Sequence, residues 1–281
     1  MSVVLITGCS SGFGLETALA FAANGDTVVA TMRNVERSTV LDERARAEGF
    51  AIETLALDVS SDDSVAAAVN DVLLRHGKID VLVNNAGVGH IGAIETMDLA
   101  LAREVLETNF WGTVRMIQAV LPRMREDGSG VIINVSSIAG RLPPIPFSSW
   151  YAVSKHGVGL LSESLYMELM GTGVRVVSVE PGFYKTSINV GASPLRENGV
   201  YSEEEAWVGH FYVRGVRGGG DPAEVAAAIV RSSLDPATPL HVTMLSELEE
   251  TLHLSAGDFE QTAVSQIEML EASVGPRPKR S

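Results

Sequence analysis

Thr7-Gly8-Cys9-Ser10-Ser11-Gly12-Phe13-Gly14 follows directly on the apolar run Ser2–Thr7 and leads into a helical pattern over Gly14–Asn24. Three glycines between a strand and a helix let the chain turn tightly. They also bring backbone N–H groups close to a diphosphate at the positive end of that helix. Gly8, Ser10, Ser11, Gly12, Phe13 and Gly14 are therefore candidate phosphate-loop residues. Two other readings compete. One is a plain strand-to-helix turn. The other is a nucleophile elbow, because Gly8-Cys9-Ser10-Ser11-Gly12 has the Gly-x-Ser-x-Gly form. An elbow serine usually follows a later strand, with an acid and a histidine downstream, and residue 10 is early for that.

Beyond the loop, short β-branched runs alternate with longer helical patterns. Strands are expected at Ser2–Thr7, Asp26–Met32, Ala51–Leu57, Ile79–Asn84, Val131–Ser136, Val174–Val179 and Pro239–Met244. Helices are expected near Gly14–Asn24, Thr39–Glu48, Ser61–Arg75, Leu99–Met124, Ser149–Met170 and Asp221–Leu234. In the last of these, Asp221 caps the helix and Pro222 occupies its first turn. Such alternation predicts an α/β fold: a Rossmann-type doubly wound parallel sheet of about seven strands with helices on both faces. Residues 1–281 read as one dinucleotide-binding and catalytic domain. A substrate loop is expected at about 188–217, and an acidic helical end at about 246–273.

Composition narrows the classes. With 46% apolar residues the chain is not a disordered one, and a net charge of −14 argues against a nucleic-acid binder. A single cysteine, Cys9, excludes an intramolecular disulfide and a cysteine zinc site. No signal-peptide pattern opens the sequence, and no apolar run approaches the roughly 20 residues that span a bilayer. A cytoplasmic protein is expected.

About 20 residues past a phosphate loop, an NAD-binding chain places Asp or Glu on the ribose. Here Ala30-Thr31-Met32-Arg33-Asn34 stands instead. Without the carboxylate, Arg33 is free to meet a 2′-phosphate, so NADP(H) is preferred, with NAD(H) still possible. Further on, Tyr151-Ala152-Val153-Ser154-Lys155 puts a phenol and an ammonium on one helical face. A phenol titrates near 10, and making it a base near neutrality takes about 4 kcal/mol of preferential phenolate stabilisation. The ammonium of Lys155 is the expected source. Ser136-Ser137 closes the preceding strand, where ligand crevices form. Ser137 is expected to face a substrate oxygen, and Ser136 to cap the turn.

Taken together, Thr-Gly-x3-Gly-x-Gly, Asn84-Asn85-Ala86-Gly87, Tyr151-x3-Lys155 and Pro181-Gly182 with Thr186 resemble the classical short-chain dehydrogenases/reductases over about residues 3–240. Cys9-Ser10-Ser11 with Ala30–Arg33 is most similar to the 17β-hydroxysteroid and retinol dehydrogenase branch. The resemblance implies a tetrad of Asn109, Ser137, Tyr151 and Lys155. Tyr151 would exchange the proton, Ser137 polarise the oxygen, Lys155 bind ribose and acidify Tyr151, and Asn109 place a relay water. It also implies cofactor contacts at Asp58, Val59, Asn85, Ala86, Gly87, Tyr151, Lys155, Pro181, Gly182 and Thr186. Ser137 lies one residue further from Tyr151 than the family spacing, which points to an insertion in Arg141–Phe147.

Substrate contacts are expected from Val88–Ile91, Leu142–Phe147, Phe183-Tyr184 and Asn189–Arg217. Their apolar character suits a hydrophobic alcohol or ketone. His90 and His210 lack partners at ligand spacing and read as loop residues, so no metal is expected. The family's habit implies a homodimer or homotetramer through helices near 100–124 and 149–170. Two alternatives stay open: a catalytically silent NAD(P)-sensing protein, which would be expected to lose the tyrosine, lysine or serine, and an epimerase or dehydratase sharing Tyr-x3-Lys.

Overall fold

The computed structural model describes residues 1–188, 199–244 and 259–278. Seven strands form one sheet: β1 (Val3–Ile6), β2 (Thr27–Met32), β3 (Ile52–Ala56), β4 (Val81–Asn84), β5 (Gly130–Val135), β6 (Val174–Pro181) and β7 (His241–Met244). Their order is β3-β2-β1-β4-β5-β6-β7 and every pairing is parallel. β1 pairs with β2 on one side (Val4↔Val28) and β4 on the other (Val4↔Val81). The winding thus reverses between β1 and β4, and a crevice opens beyond their C-terminal ends.

Period-two alternation explains the two layers that cover the sheet. Val4 and Ile6 face one way, toward Phe21 of α1 (Gly12–Ala23) and Ile229 of α8 (Pro222–Leu234). Val3 and Leu5 face the other way, toward Val72 of α3 (Asp62–His76) and Met116 of α5 (Gly112–Glu126). Short α2 (Thr39–Glu48) completes the first half. Asp221 accepts from Ala223 N at 2.9 Å and Pro222 opens α8, as the sequence predicts. Among the described residues no helix is long and apolar enough to cross a membrane.

The helix expected over Leu99–Met124 is α4 (Leu99–Leu106) and α5 joined by a π-helical turn, Glu107–Trp111. Inserted turns of this kind cluster at functional sites, and this one carries Asn109. The expected loop to Arg217 is, over Ser202–Gly218, the helix α7; its first part, 189–198, lies outside the described residues. α7 forms because Trp207, Val208, Phe211, Tyr212 and Gly215 make one buried stripe at helical spacing. His210 is therefore an exposed helical residue, not a loop residue. The acidic end contains the helix α9 (Phe259–Val274), while 246–258 lies outside the described residues. Leu270 of α9 is fully buried in a third apolar cluster with Phe211 and Val208, and Trp207 Nε1 donates to Gly275 O at 2.8 Å.

Candidate active site

β1 delivers Thr7, whose buried hydroxyl accepts from Asn85 N and Ala86 N, both at 3.0 Å. Asn85 Nδ2 returns hydrogen bonds to Thr7 O (2.8 Å) and Gly8 O (3.1 Å). The glycine loop and the Asn84–Gly87 turn are thereby locked together. Gly8 sits at φ 75°, and a Cβ there would lie 2.8 Å from Ala86 Cα. A Cβ on Gly14 would lie 2.4 Å from Gly8 O. These two glycines serve backbone-on-backbone packing as much as ligand approach.

The loop is one wall of a cleft of about 1600 Å³ that reaches from Arg33 and Asp58 to Tyr151 and Lys155. Ser10, Ser11, Gly12, Phe13, Val59, Ala86, Gly87 and Thr186, all candidates from the sequence, are brought together along it. Ser11, at the N-cap of α1, makes no hydrogen bond to the helix; it accepts from Ser187 at 2.5 Å. The first amides of α1 are thus left for an anion, with no acidic side chain in the first turn. Arg37, which sequence reading passed over, lines the same end as Arg33. Partial burial would raise the Asp58 carboxyl, but hydrogen bonds from Ser60 and the charges of Arg33 and Arg115 hold it below its usual range. Uncapped amides and a tightly packed loop fit the diphosphate of a dinucleotide.

At the other end α6 (Ser149–Glu168) carries Tyr151 and Lys155, both buried. Lys155 Nζ donates to Val135 O at 2.8 Å and stands 5.8 Å from the Tyr151 ring centroid. Burial pulls the Lys155 ammonium down to about 8. The expectation that Lys155 acidifies Tyr151 is not met in the protein alone: burial pushes the phenol up, and neighbouring Ser137 offsets only part of the rise. The turn-capping role expected of Ser136 falls to its neighbour. Ser137 is the residue that caps the short turn Ile138–Gly140, accepting from Ala139 N at 3.2 Å, and it donates to Pro181 O at 3.4 Å. Ser136 instead donates to Lys155 O at 2.8 Å and braces α6.

Asn109 is buried. Its Oδ1 accepts from Val88 N (2.8 Å), and its Nδ2 donates to Val88 O (2.9 Å) and Ser154 Oγ (3.0 Å). Both amide hydrogens are taken by protein partners, so the relay water expected of Asn109 does not follow from its side chain. What the carboxamide does is clamp the Gly87–Val88 wall, and a Cβ on Gly87 would lie 3.3 Å from Asn109 Oδ1 and 3.6 Å from Lys155 Nζ. Gly157 packs on Phe110 of the π-helical turn, 3.1 Å from where its Cβ would stand, which is a local reason for that glycine. His90 stands 3.3 Å from Glu104, a partner the sequence did not reveal.

Tyr151 also lines a second, apolar pocket of about 890 Å³ that shares its wall with the cleft. Leu142 and Phe183 come from segments expected to touch substrate, and Ser137 lines the pocket too; Pro181 and Gly182, expected at the cofactor, line this pocket and not the cleft. Tyr212 and Val216, within the expected Asn189–Arg217 segment, come from α7; Gln266 and Met269 come from α9, and only these two were not assigned to the site by the sequence. Gln266 Nε2 donates to Pro143 O, tying α9 to the Arg141–Phe147 segment. In that segment Phe147 adopts φ 64° and its carbonyl accepts from Gly92 N at 2.7 Å.

The family model for the short chain dehydrogenase matches residues 2–196, and the chain belongs to that family. It is an oxidoreductase family that binds NAD(P). Retinol dehydrogenase 8 of Bos taurus is 43% identical over 183 residues, 64% of this chain and 58% of that protein. Human 17-beta-hydroxysteroid dehydrogenase type 1 is 42% identical over 187 residues, 64% of this chain and 56% of that protein. The chain thus spans less than two thirds of either relative. A short-chain dehydrogenase from Streptomyces avermitilis superposes with TM-score 0.78 at 34% identity, covering 98% of this chain and 97% of that one. A metagenomic short-chain oxidoreductase in complex with NADP gives TM-score 0.70 at 29% identity, over 87% of this chain and 98% of that one.

Proposed function

We propose that residues 1–281 act as one catalytic unit that interconverts a hydrophobic alcohol and its ketone, with NADP(H) preferred over NAD(H). The observation that carries this reading is the position of Tyr151, on the wall common to the dinucleotide-sized cleft and the apolar pocket, with Ser137 beside it. The nicotinamide cofactor, when bound, supplies or accepts the hydride.

In the reducing direction the Tyr151 hydroxyl gives its proton to the substrate oxygen while Ser137 donates a hydrogen bond to that oxygen. In oxidation Tyr151 takes the proton back. The buried Lys155 ammonium, close to the ring, holds a ribose hydroxyl and steadies the phenolate that forms. Asn109 is a positioning residue that keeps Gly87–Val88 against Lys155. The glycine loop and the amides of α1 hold the diphosphate, and Arg33 with Arg37 favours the additional phosphate of NADP. The NADP complex of the metagenomic neighbour supports that preference. Exposed apolar side chains on α6, Val153, Leu160 and Met167, support assembly into a homo-oligomer, and we read the protein as cytoplasmic.

NADPH consumption over a panel of hydrophobic ketones, with dissociation constants for NADP and NAD, tests the reading. Tyr151→Phe should lower kcat by about 10²–10⁴-fold, the usual scale of general acid–base catalysis, and leave NADP affinity nearly unchanged. Turnover that survives this change removes the mechanism, and an NAD affinity equal to that for NADP removes the cofactor preference.

A further inference from the structure

Two hydroxyls meet the substrate oxygen in the reaction proposed above, and they come from different elements. Tyr151 rides on the long helix α6, whereas Ser137 lies past the end of β5, at the head of the short turn Ile138–Gly140. That turn closes on itself: Gly140 N donates to Ser137 O and Arg141 N to Ile138 O, both at 2.9 Å. The chain beyond it offers little support, because Pro143, Pro144 and Pro146 in Arg141–Phe147 have no N–H to donate. Support comes from α6 instead. A Cβ on Gly140 would lie 2.7 Å from the Lys155 carbonyl carbon and 2.9 Å from His156 N, so the turn is laid backbone on backbone across the peptide that follows Lys155. There His156 Nδ1 stands 2.8 Å from Gly140 O. A carbonyl oxygen only accepts, so Nδ1 carries the proton and donates. The ring that makes this bond belongs to an exposed residue and touches neither the cleft nor the apolar pocket.

We propose that His156 is a positioning residue for the reaction: by holding Gly140 O on α6 it keeps the Ser137 hydroxyl aligned with that of Tyr151. It acts through the turn and does not meet substrate. This inference rests on the roles given above to Ser137 and Tyr151. Two donors that must reach one oxygen tolerate little relative displacement, since a shift of about 1 Å can cost about a hundredfold in rate. A bond from the helix of one donor to the turn of the other restricts that displacement.

A double-mutant cycle with Ser137 separates positioning from general support of the fold. His156→Ala should lower kcat with a hydrophobic ketone by about tenfold and weaken that ketone several-fold on the NADP-loaded protein, with the NADP dissociation constant within about twofold. In a Ser137→Ala background the same change should alter kcat and ketone affinity by less than about twofold, because the group it places is gone. His156→Asn, whose amide nitrogen takes the place of Nδ1, should recover most of the loss. Equal losses with and without Ser137, no loss in His156→Ala, or an asparagine variant no better than alanine overturns the inference and leaves the reaction reading standing. If Ser137→Ala keeps both kcat and ketone affinity, the serine has no role and the inference falls with it. The cycle read in ketone dissociation constants needs no turnover, so a protein that oxidises NADPH with no ketone would lose the redox reading while the His156 assignment is still decided.

Discussion

The glycine-loop cleft is walled by backbone at the ends of β1, β2 and β4, whereas the apolar pocket is walled by side chains of α6, α7, α9 and the Arg141–Phe147 segment. In the cleft, shape follows from main-chain hydrogen bonds such as Asn85 Nδ2 to Thr7 O and from the close approach of Gly8 to Ala86. In the pocket, shape follows from aromatic and aliphatic packing brought together from distant parts of the chain, Phe183 on Phe211 and Leu270 beneath them. A wall of sheet-anchored backbone has little freedom to change. A wall of helix side chains is open to substitution without loss of the sheet. One fold can thus keep a fixed cofactor cleft and vary its substrate.

Removing Leu270 gives the strongest separation of the two regions. Truncating a fully buried leucine costs about 2–5 kcal/mol, and here the loss falls on the docking of α9 against α7. Leu270→Ala should lower the melting temperature and raise KM for ketones several-fold, while the NADP dissociation constant stays within about twofold. Equal weakening of NADP would mean that the cleft depends on the C-terminal helix, and the contrast between the regions would fail. The converse change is Gly14→Ala. Its Cβ would stand 2.4 Å from Gly8 O and 2.5 Å from Asn85 Nδ2, so backbone must move. Overpacking of this kind costs about 1–3 kcal/mol. NADP affinity should fall by about tenfold or more. The pocket should keep its affinity for a ketone analogue in a fluorescence titration.

The same contrast explains what the sequence revealed. The seven strands and the helices between them rest on alternation visible in local runs, and the glycine loop and Tyr151–Lys155 are local spacings that survive without knowledge of any partner. The pocket residues were harder because their reason is long-range. α7 contains Gly209, Gly215 and Gly218, which read as a loop, yet Trp207, Val208, Phe211, Tyr212 and Gly215 recur at helical spacing. That periodicity was the available signal. Gly215 itself is set against Phe183, 2.8 Å from where a Cβ would stand, a contact invisible in one dimension. Gln266 and Met269 carried no signal at all, since their place depends on α9 meeting α7 and Pro143. Arg37 stands four residues beyond Arg33, in the short 3-10 turn Val35–Ser38, and a second cation that close to the end of β2 could have marked it. Burial of Tyr151, which raises its phenol in the protein alone, had no such local signal: the Tyr151–Lys155 spacing is legible, but the depth at which the pair sits is not.

The smallest effect concerns that lysine, which gives the cleft a buried ammonium that the pocket lacks. Its folded pKa is about 8, below the ordinary lysine value of 10.5. Between those values the unfolded chain binds more protons than the folded one, so unfolding free energy must rise with pH across that window. Below about pH 8 both states are protonated and the full cost of the buried charge is felt. The phenol of Tyr151 acts in the opposite sense, since burial raises it and stability falls once the unfolded tyrosine ionises near pH 10. Thermal midpoints of the free protein should therefore climb from pH 8 toward pH 10 relative to those of Lys155→Met, which has no proton to lose. Parallel profiles for the two proteins would show that Lys155 keeps its ordinary affinity for a proton. The cleft would then hold its ammonium at no electrostatic cost, and the regions would differ in packing alone.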